Sequence, residues 1–203
     1  MLTILGKIPS INVRKVLWTC RLLDLPFELE PWGKGERDPN VPEFLALNPN
    51  AQVPVLRDGD TVLWESNTIC RYLAHDSVLL PPDRLQRARI EQWMDWQATE
   101  LNAAWRPAFM TLLRGSTQFG PEAVAASVRD WNARMALLDR HLEQTGAFVA
   151  GDTLSLADVV IGVAVHRWRA TPIERITLPA VAAYMERLSQ VTGYADYCGN
   201  ETP

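Results

Sequence analysis

Residues 48–73 (NPNAQVPVLRDGDTVLWESNTICRYL) constrain the fold more than any other part of the chain. Two apolar runs, 53–56 and 61–64, flank the dipeptide Asp58-Gly59. This arrangement indicates a tight β-hairpin, because glycine readily adopts the positive φ that such turns require. After the second run, Glu65 and Ser66 precede apolar residues at helical spacing, which predicts a helix. The stretch is therefore expected to form a hairpin followed directly by a helix.

Three features of this stretch suggest a binding site. Pro54 at the start of a strand cannot donate a backbone hydrogen bond, and a cis bond before it would turn the Val53 backbone outward. Ser66 suits the N-cap of the helix, whose free N–H groups bind carboxylates. Glu65, beside it, could hold an amine. A ligand with an amine, a carboxylate and an extended peptide backbone would satisfy all three features.

The same pattern resembles that of glutathione transferases, whose thioredoxin-like domain contains N-P-x-x-x-V-P-x-L, D-G and E-S-x-x-I-x-x-Y-L in this order. The matching residues are Asn48-Pro49, Val53-Pro54, Leu56, Asp58-Gly59, Glu65-Ser66, Ile69 and Tyr72-Leu73. The resemblance implies that the Val53 backbone pairs with the cysteinyl part of glutathione and that Glu65 and Ser66 hold its γ-glutamyl end. An ordinary hairpin with a capped helix explains any one dipeptide, but not the whole pattern at fixed spacing.

The composition argues against several other classes of protein. The 203 residues are 47% hydrophobic and 22% charged, which is ordinary for a globular protein with a substantial core. A net charge of −4 argues against nucleic acid or an acidic membrane as the main partner. No apolar run is long enough to span a bilayer or to form a signal peptide, so a cytoplasmic location is expected. The three cysteines and three histidines lack metal-ligand spacing, so no metal is expected.

The predicted fold class is an α/β N-terminal thioredoxin-like domain followed by an all-α C-terminal helical bundle. The sequence of residues 1–74 predicts a strand over 2–5, a helix over 13–23 and a strand over 27–30. Helical turns after Pro42 are expected next, followed by the hairpin and its helix. The strand–helix–strand order implies parallel pairing of the first two strands. Residues 75–83 are predicted to be a linker, and residues 84–203 the helical domain.

Within the second domain, one long helix is predicted through residues 90–112, bent at Pro107. Other helices are expected over 124–142, ended by Gly146, and over 155–168 and 178–191, with a loosely held tail from 193 to 203. Ser155 and Asp158 have the spacing of a capping box, which explains the acid without a catalytic role. The resemblance extends here, because glutathione transferases have the same box.

A glutathione transferase must present the sulfur of glutathione as a thiolate, which a hydroxyl donor and a helix N-terminus both favour. Ser10-Ile-Asn12 resembles the S-x-N/T motif of serine-type transferases, the bacterial phi-like and theta-like forms. By this resemblance Ser10 activates the sulfur and Asn12 supports it. The alternative is that one of the two merely caps the first helix. Cys20 and Cys70 lie on apolar helix stripes and are expected in the core, which disfavours thiol–disulfide exchange.

The remaining contacts also follow from the resemblance. Gln52 matches a glutathione-binding position, and Lys34, Arg37 or Asn40 would have to bind the glycyl carboxylate. The electrophile pocket is expected to contain Pro9 from the first loop and three side chains of the long helix. Those three are Trp105, Arg106 and Phe109. The alternative for the two aromatic residues is a place in the core.

Three functional hypotheses follow. The first is a homodimeric detoxification enzyme that conjugates glutathione, its co-substrate, to a small hydrophobic electrophile. The second is a non-catalytic module with the same fold that binds partner proteins. The third is another glutathione-dependent reaction at the same site, namely isomerisation, dehalogenation or peroxide reduction. The sequence does not identify the electrophile.

Overall fold

A computed structural model describes residues 1–199 of the chain. The first part of the chain contains four strands and three helices. They are β1 (Leu2–Gly6), α1 (Ile11–Leu22), β2 (Phe27–Pro31), α2 (Pro42–Leu45), β3 (Val55–Asp58), β4 (Thr61–Trp64) and α3 (Ser66–Leu73). The element order is that predicted from the sequence.

The four strands form one mixed sheet in the order β2-β1-β3-β4. β1 and β2 pair in parallel, as the intervening helix requires, whereas β3 is antiparallel to both β1 and β4. The predicted hairpin is confirmed: Asp58 pairs with Thr61, and Gly59 has a φ of 57°. β3 begins at Val55, two residues later than predicted, so Val53 lies outside the ladder.

The remainder of the described chain is helical. Its elements are α4 (Arg84–Trp96), a π-helical turn (Gln97–Leu101), α5 (Asn102–Leu112), α6 (Pro121–Thr145), α7 (Leu156–Ala170), α8 (Pro179–Leu188) and α9 (Tyr194–Tyr197). The predicted long helix exists but is interrupted by the π-helical turn. Pro107 is accommodated inside α5. Gly146, with a φ of 76°, ends α6 as expected.

α7 is the central helix of the second domain, and 13 of its 15 residues are buried. The predicted capping box is confirmed at its N-terminus. The Asp158 carboxylate accepts hydrogen bonds of 2.8 Å from the backbone N–H groups of Val149 and Ser155. It also accepts bonds from the hydroxyls of Ser155 (2.8 Å) and Tyr184 (3.1 Å). Burial raises the pKa of Asp158, and these donors oppose the shift. Asp158 is structural, as predicted.

α1 joins the two domains, because it packs against α3 on one side and against α7 and α9 on the other. The Trp18 indole donates to the carbonyl of Thr192 over 2.8 Å, and the Arg14 guanidinium donates to the carbonyl of Tyr197 over 3.3 Å. The expectation of a loosely held tail is therefore wrong for residues 193–199. Residues 200–203 of the predicted tail lie outside the described part of the chain.

Among the helices of residues 1–199, none is long and apolar enough to cross a membrane.

Candidate active site

A cleft of about 490 Å³ lies where the start of α1 meets the π-helical turn and α5. Residues from both domains line it: Ser10, Ile11, Asn12, Gln52, Ala98, Thr99, Asn102, Ala103, Trp105, Arg106 and Arg167. Five of the predicted site residues meet in this cleft: Ser10, Asn12, Gln52, Trp105 and Arg106. The lining contains no carboxylate and more polar than apolar residues. The cleft is therefore suited to polar or negatively charged groups.

Ser10 occupies the N-cap position of α1 but does not use its side chain as a cap. Its backbone is extended (φ −85°, ψ 120°), and its carbonyl accepts from the N–H of Arg14 over 3.0 Å. The hydroxyl therefore remains available to the cleft, next to the positive end of the helix dipole. Ser10 is therefore not merely a helix cap, because its hydroxyl makes no capping hydrogen bond.

The loop before β3 is held by Asn48, which is buried. Its amide donates to the carbonyl of Gln52 over 2.8 Å, and its oxygen accepts from the N–H of Asn50 over 3.0 Å. The bond between Val53 and Pro54 is cis, as the sequence suggested. The hydrogen bonds of Asn48 hold the loop that brings Gln52 to the cleft.

The start of α3 differs by one residue from the prediction. Glu65 is the N-cap, with φ 70° and ψ 111°, and Ser66 is the first helical residue. The difference arises because Glu65 itself makes the turn between β4 and the helix. Glu65 is exposed and does not cap with its side chain, whereas Ser66 is buried. The Glu65 carboxylate thus lies beside the N–H groups that begin α3.

The three residues proposed for a glycyl carboxylate differ in availability. Arg37 forms an ion pair of 2.8 Å with Glu30, and Asn40 donates to Asp38 over 2.8 Å. Arg37 is therefore engaged by a side chain of β2, and Asn40 by a side chain of its own loop. Lys34 is exposed, and no hydrogen bond or ion pair engages its side chain within residues 1–199. Lys34 is not among the residues lining the cleft, and its role stays a prediction.

The wall contributed by α5 is built on Trp105. Its indole donates to Asn102 over 3.0 Å, which fixes the ring beside the exposed Arg106. Phe109 does not line the cleft, contrary to expectation: it is only 3% exposed. Its ring packs edge-on against Trp105, with centroids 5.2 Å apart, so it supports the wall from behind. Pro9, also predicted in the electrophile pocket, is exposed in the loop before Ser10 and is not among the residues that line the cleft.

Sequence reasoning missed a polar network beneath the cleft. The Lys15 amine, 1% exposed, donates to Gln97 over 2.6 Å and to Asn67 over 3.3 Å. The Gln97 amide donates in turn to Asn102 over 2.8 Å. Burial lowers the pKa of Lys15 to about 7. In the sequence, Lys15 is a charged residue of a helix and therefore looks like a surface residue. Its burial becomes apparent only when α1 is packed between the two domains.

Arg167 is the second residue that sequence reasoning missed. It lies in the last turn of α7, where a basic residue is typical simply because it complements the helix dipole. In the structure it is buried and lines the cleft. Its guanidinium lies over the rings of Trp105 (4.6 Å) and Phe109 (4.0 Å). The cleft therefore has a positively charged wall as well as an aromatic one.

The rival nucleophiles are unsuited to catalysis. Cys20 and Cys70 are fully buried, as predicted. Burial raises the pKa of Cys20 to about 12 and that of Cys70 to about 11, so both remain protonated thiols. Within residues 1–199, no group of three histidine, cysteine or acidic side chains could hold a metal ion.

Comparison with known proteins identifies the family. Residues 9–76 match the model of the glutathione S-transferase N-terminal domain, and residues 121–187 match that of its C-terminal domain. Glutathione S-transferase GstB of Escherichia coli is 39% identical over 167 residues, covering 79% of this chain and 80% of the relative. The chain belongs to the glutathione S-transferase family. The predicted family, enzyme class and two-domain fold are confirmed.

Two further similarities bear on function. A theta-class glutathione S-transferase from Xanthomonas axonopodis, solved with glutathione bound, superposes with a TM-score of 0.92 at 31% identity, covering 100% of this chain and 99% of that one. Its ligand is the co-substrate predicted here for this transferase. Elongation factor 1-gamma of Prunus avium is 31% identical over 157 residues, covering 74% of this chain but only 36% of that protein.

Proposed function

We propose that this chain conjugates the thiolate of glutathione to a small electrophile held in the cleft. The observation that carries the proposal concerns Ser10, which lines the cleft at the start of α1 and makes no capping hydrogen bond with its hydroxyl. A scaffold has no physical need for a serine in this position. Family membership and the glutathione-bound relative support the same conclusion.

The proposed division of roles follows the two domains. Glu65, the Ser66 hydroxyl and the N–H groups starting α3 hold the γ-glutamyl end. The Val53 backbone pairs with the cysteinyl part, and Gln52 and Lys34 serve the glycyl end. Ser10 donates a hydrogen bond to the sulfur, with Asn12 in support, and the positive end of α1 favours the thiolate. An apolar part of the electrophile stacks on Trp105 while the sulfur attacks.

Steady-state kinetics with 1-chloro-2,4-dinitrobenzene test these roles. Ser10→Ala is expected to lower kcat roughly 10- to 100-fold, the value of one hydrogen bond to a charged group, with little change in glutathione affinity. Ser66→Ala is expected to weaken glutathione binding instead. Equal losses in both parameters for Ser10→Ala would overturn its assignment, and Asn12→Ala would be the next variant to examine.

We also propose that two copies associate. Several apolar side chains remain exposed on β4, on α3, in the connection to α4 and in the first turn of α4. They include Trp64, Tyr72, Val78 and Leu85. Val78 is the most exposed of these four, at 82%, and exposed apolar patches mark protein–protein contacts. Light scattering is expected to give twice the mass of the chain for wild type, and a shift towards one copy for Trp64→Glu. A monomeric wild type would refute the assembly.

A cytoplasmic, detoxifying role completes the proposal. It is supported by three unpaired, buried cysteines, which suit a reducing compartment. The similarity to elongation factor 1-gamma keeps one alternative open, a non-catalytic module that binds partner proteins. Turnover of an electrophile by wild type, lost in Ser10→Ala, would decide for the enzyme. Comparing aryl halides, haloalkanes and hydroperoxides as substrates would separate conjugation from dehalogenation and peroxidase chemistry.

A further inference from the structure

Arg167 is a buried cation aimed into the cleft. Its side chain belongs to α7, the central helix, yet it lines the cleft together with Ser10 and Asn12 from α1. Only 5% of the residue is exposed. A buried arginine is normally paired with a carboxylate or held by several hydrogen bonds, because removing an unpaired charge from water is costly.

The expected partner is not supplied by the described chain. Within residues 1–199, no hydrogen bond or ion pair reaches the Arg167 guanidinium, and its buried Nε has no acceptor. The rings of Trp105 and Phe109 contact the face of the guanidinium. Stacking holds the plane of the group but leaves its N–H edges unused. The two rings thus fix the orientation of Arg167 but leave the hydrogen bonds of its guanidinium unmade.

The charges around Arg167 favour the binding of an anion in the cleft. Burial and the positive charges of Arg14 and Arg114 lower the pKa of Arg167. Arg106 adds a further positive charge to the lining, in which there is no acidic residue. An anion in the cleft would therefore gain from every nearby charge and relieve the repulsion among them.

We propose that Arg167 binds an anionic group of the electrophile, a carboxylate or sulfonate on an aromatic or otherwise planar body that stacks on Trp105. This inference rests on the proposed transferase function and names its substrate class. The two carboxylate ends of glutathione are assigned to Glu65–Ser66 and to the Lys34 loop, so neither occupies Arg167. The planar fork of a guanidinium matches a carboxylate with two parallel hydrogen bonds.

The reaction is balanced without a further reactant. For an aryl chloride, the thiolate sulfur uses one of its electron pairs to form a bond with the ring carbon that carries chlorine. The carbon–chlorine bond then breaks, and its electron pair leaves with chloride. The proton lost when the thiolate forms passes to solvent, and the acid group on the ring stays ionised on Arg167 throughout.

A matched pair of substrates tests the assignment. They are 4-chloro-3,5-dinitrobenzoate and its neutral analogue 4-chloro-3,5-dinitrobenzamide, each rate being divided by that of the uncatalysed reaction with glutathione. Wild type is expected to favour the carboxylate. Arg167→Met should lower kcat/KM for the carboxylate by roughly 10- to 100-fold, the value of hydrogen bonds to a charged group, and leave the amide unchanged. Arg167→Lys should recover part of the loss.

The control is Arg169→Met, which removes the same charge from an exposed position two residues further along α7. It is expected to leave both substrates at wild-type values. Equal losses for both substrates with Arg167→Met would mean that Arg167 acts on the sulfur, and no loss for either would mean that it is only packed. Either result overturns the proposal.

Binding of 3,5-dinitrobenzoate, which has no leaving group, tests the anion site independently of catalysis. Quenching of tryptophan fluorescence is expected to give weaker binding to Arg167→Met than to wild type or Arg169→Met. If wild type turns over neither chloride but binds the benzoate through Arg167, the transferase function fails while the anion site stands. Equal binding by all three proteins refutes the anion site itself.

Discussion

Lys15 provides the sharpest quantitative test of how the two domains meet. Its amine is buried between α1, α3 and the π-helical turn, and its partners Asn67 and Gln97 are neutral. Burial is the largest cause that lowers its pKa, and Arg167 lowers it further, whereas Cys70 and Glu65 oppose the shift. The pKa falls from 10.5 to about 7.

This shift makes stability depend on pH in a defined direction. Between pH 7 and pH 10 the unfolded chain keeps the Lys15 proton while the folded chain releases it. The unfolded state then binds more protons, so the free energy of unfolding rises with pH. From the two pKa values, the rise between pH 7 and pH 9 is about 2 kcal/mol, and well below pH 7 the contribution is constant.

Urea denaturation of wild type and Lys15→Met at pH 7, 8 and 9 measures this slope. Replacing the amine leaves the Gln97 oxygen without its donor, which costs roughly 1–3 kcal/mol at every pH and so does not change the slope. The cysteines titrate in both proteins and cancel in the difference. The free energy of wild type minus that of Lys15→Met should therefore rise by about 2 kcal/mol across this range. Parallel curves would refute the neutral, buried amine.

Three further predictions concern the framework. Asp158→Ala should lower the free energy of unfolding by roughly 3–5 kcal/mol, since it leaves buried donors without an acceptor; a loss below 1 kcal/mol by urea denaturation would contradict this. Gly6→Ala places a new Cβ 2.5 Å from a methyl group of Val13 and should cost roughly 1–3 kcal/mol, partly recovered by adding Val13→Ala. Cys20 and Cys70 should react with a thiol reagent only after unfolding; labelling of the folded protein would contradict their burial.

Local chemistry made much of the fold predictable. The Asp58-Gly59 turn and the capping box of Asp158 depend on residues close in sequence, so a short pattern determines each of them. The parallel pairing of β1 and β2 follows from the helix that connects them. The family pattern likewise located Ser10 at the start of α1 and Gln52 in the loop before β3, and both line the cleft.

Features that depend on packing between distant parts of the chain could not be predicted from the sequence. The π-helical turn at Gln97–Leu101 is invisible to helical periodicity, because it adds a single residue within an otherwise regular helix. Lys15 and Arg167 look like solvent-facing charges until α1 and α7 pack together. The tail near Tyr197 has no periodic pattern of its own, and its anchoring by Arg14 arises only in the folded chain.

The activation of glutathione by Ser10 is best tested by ultraviolet difference absorbance during a glutathione titration, with Ser10→Ala measured alongside wild type. We expect a saturable thiolate signal near neutral pH for wild type, and binding without that signal for Ser10→Ala. Saturable binding to wild type with no thiolate signal, or an undiminished signal in Ser10→Ala, would contradict the role given to the Ser10 hydroxyl. Absence of binding would contradict the glutathione site as a whole.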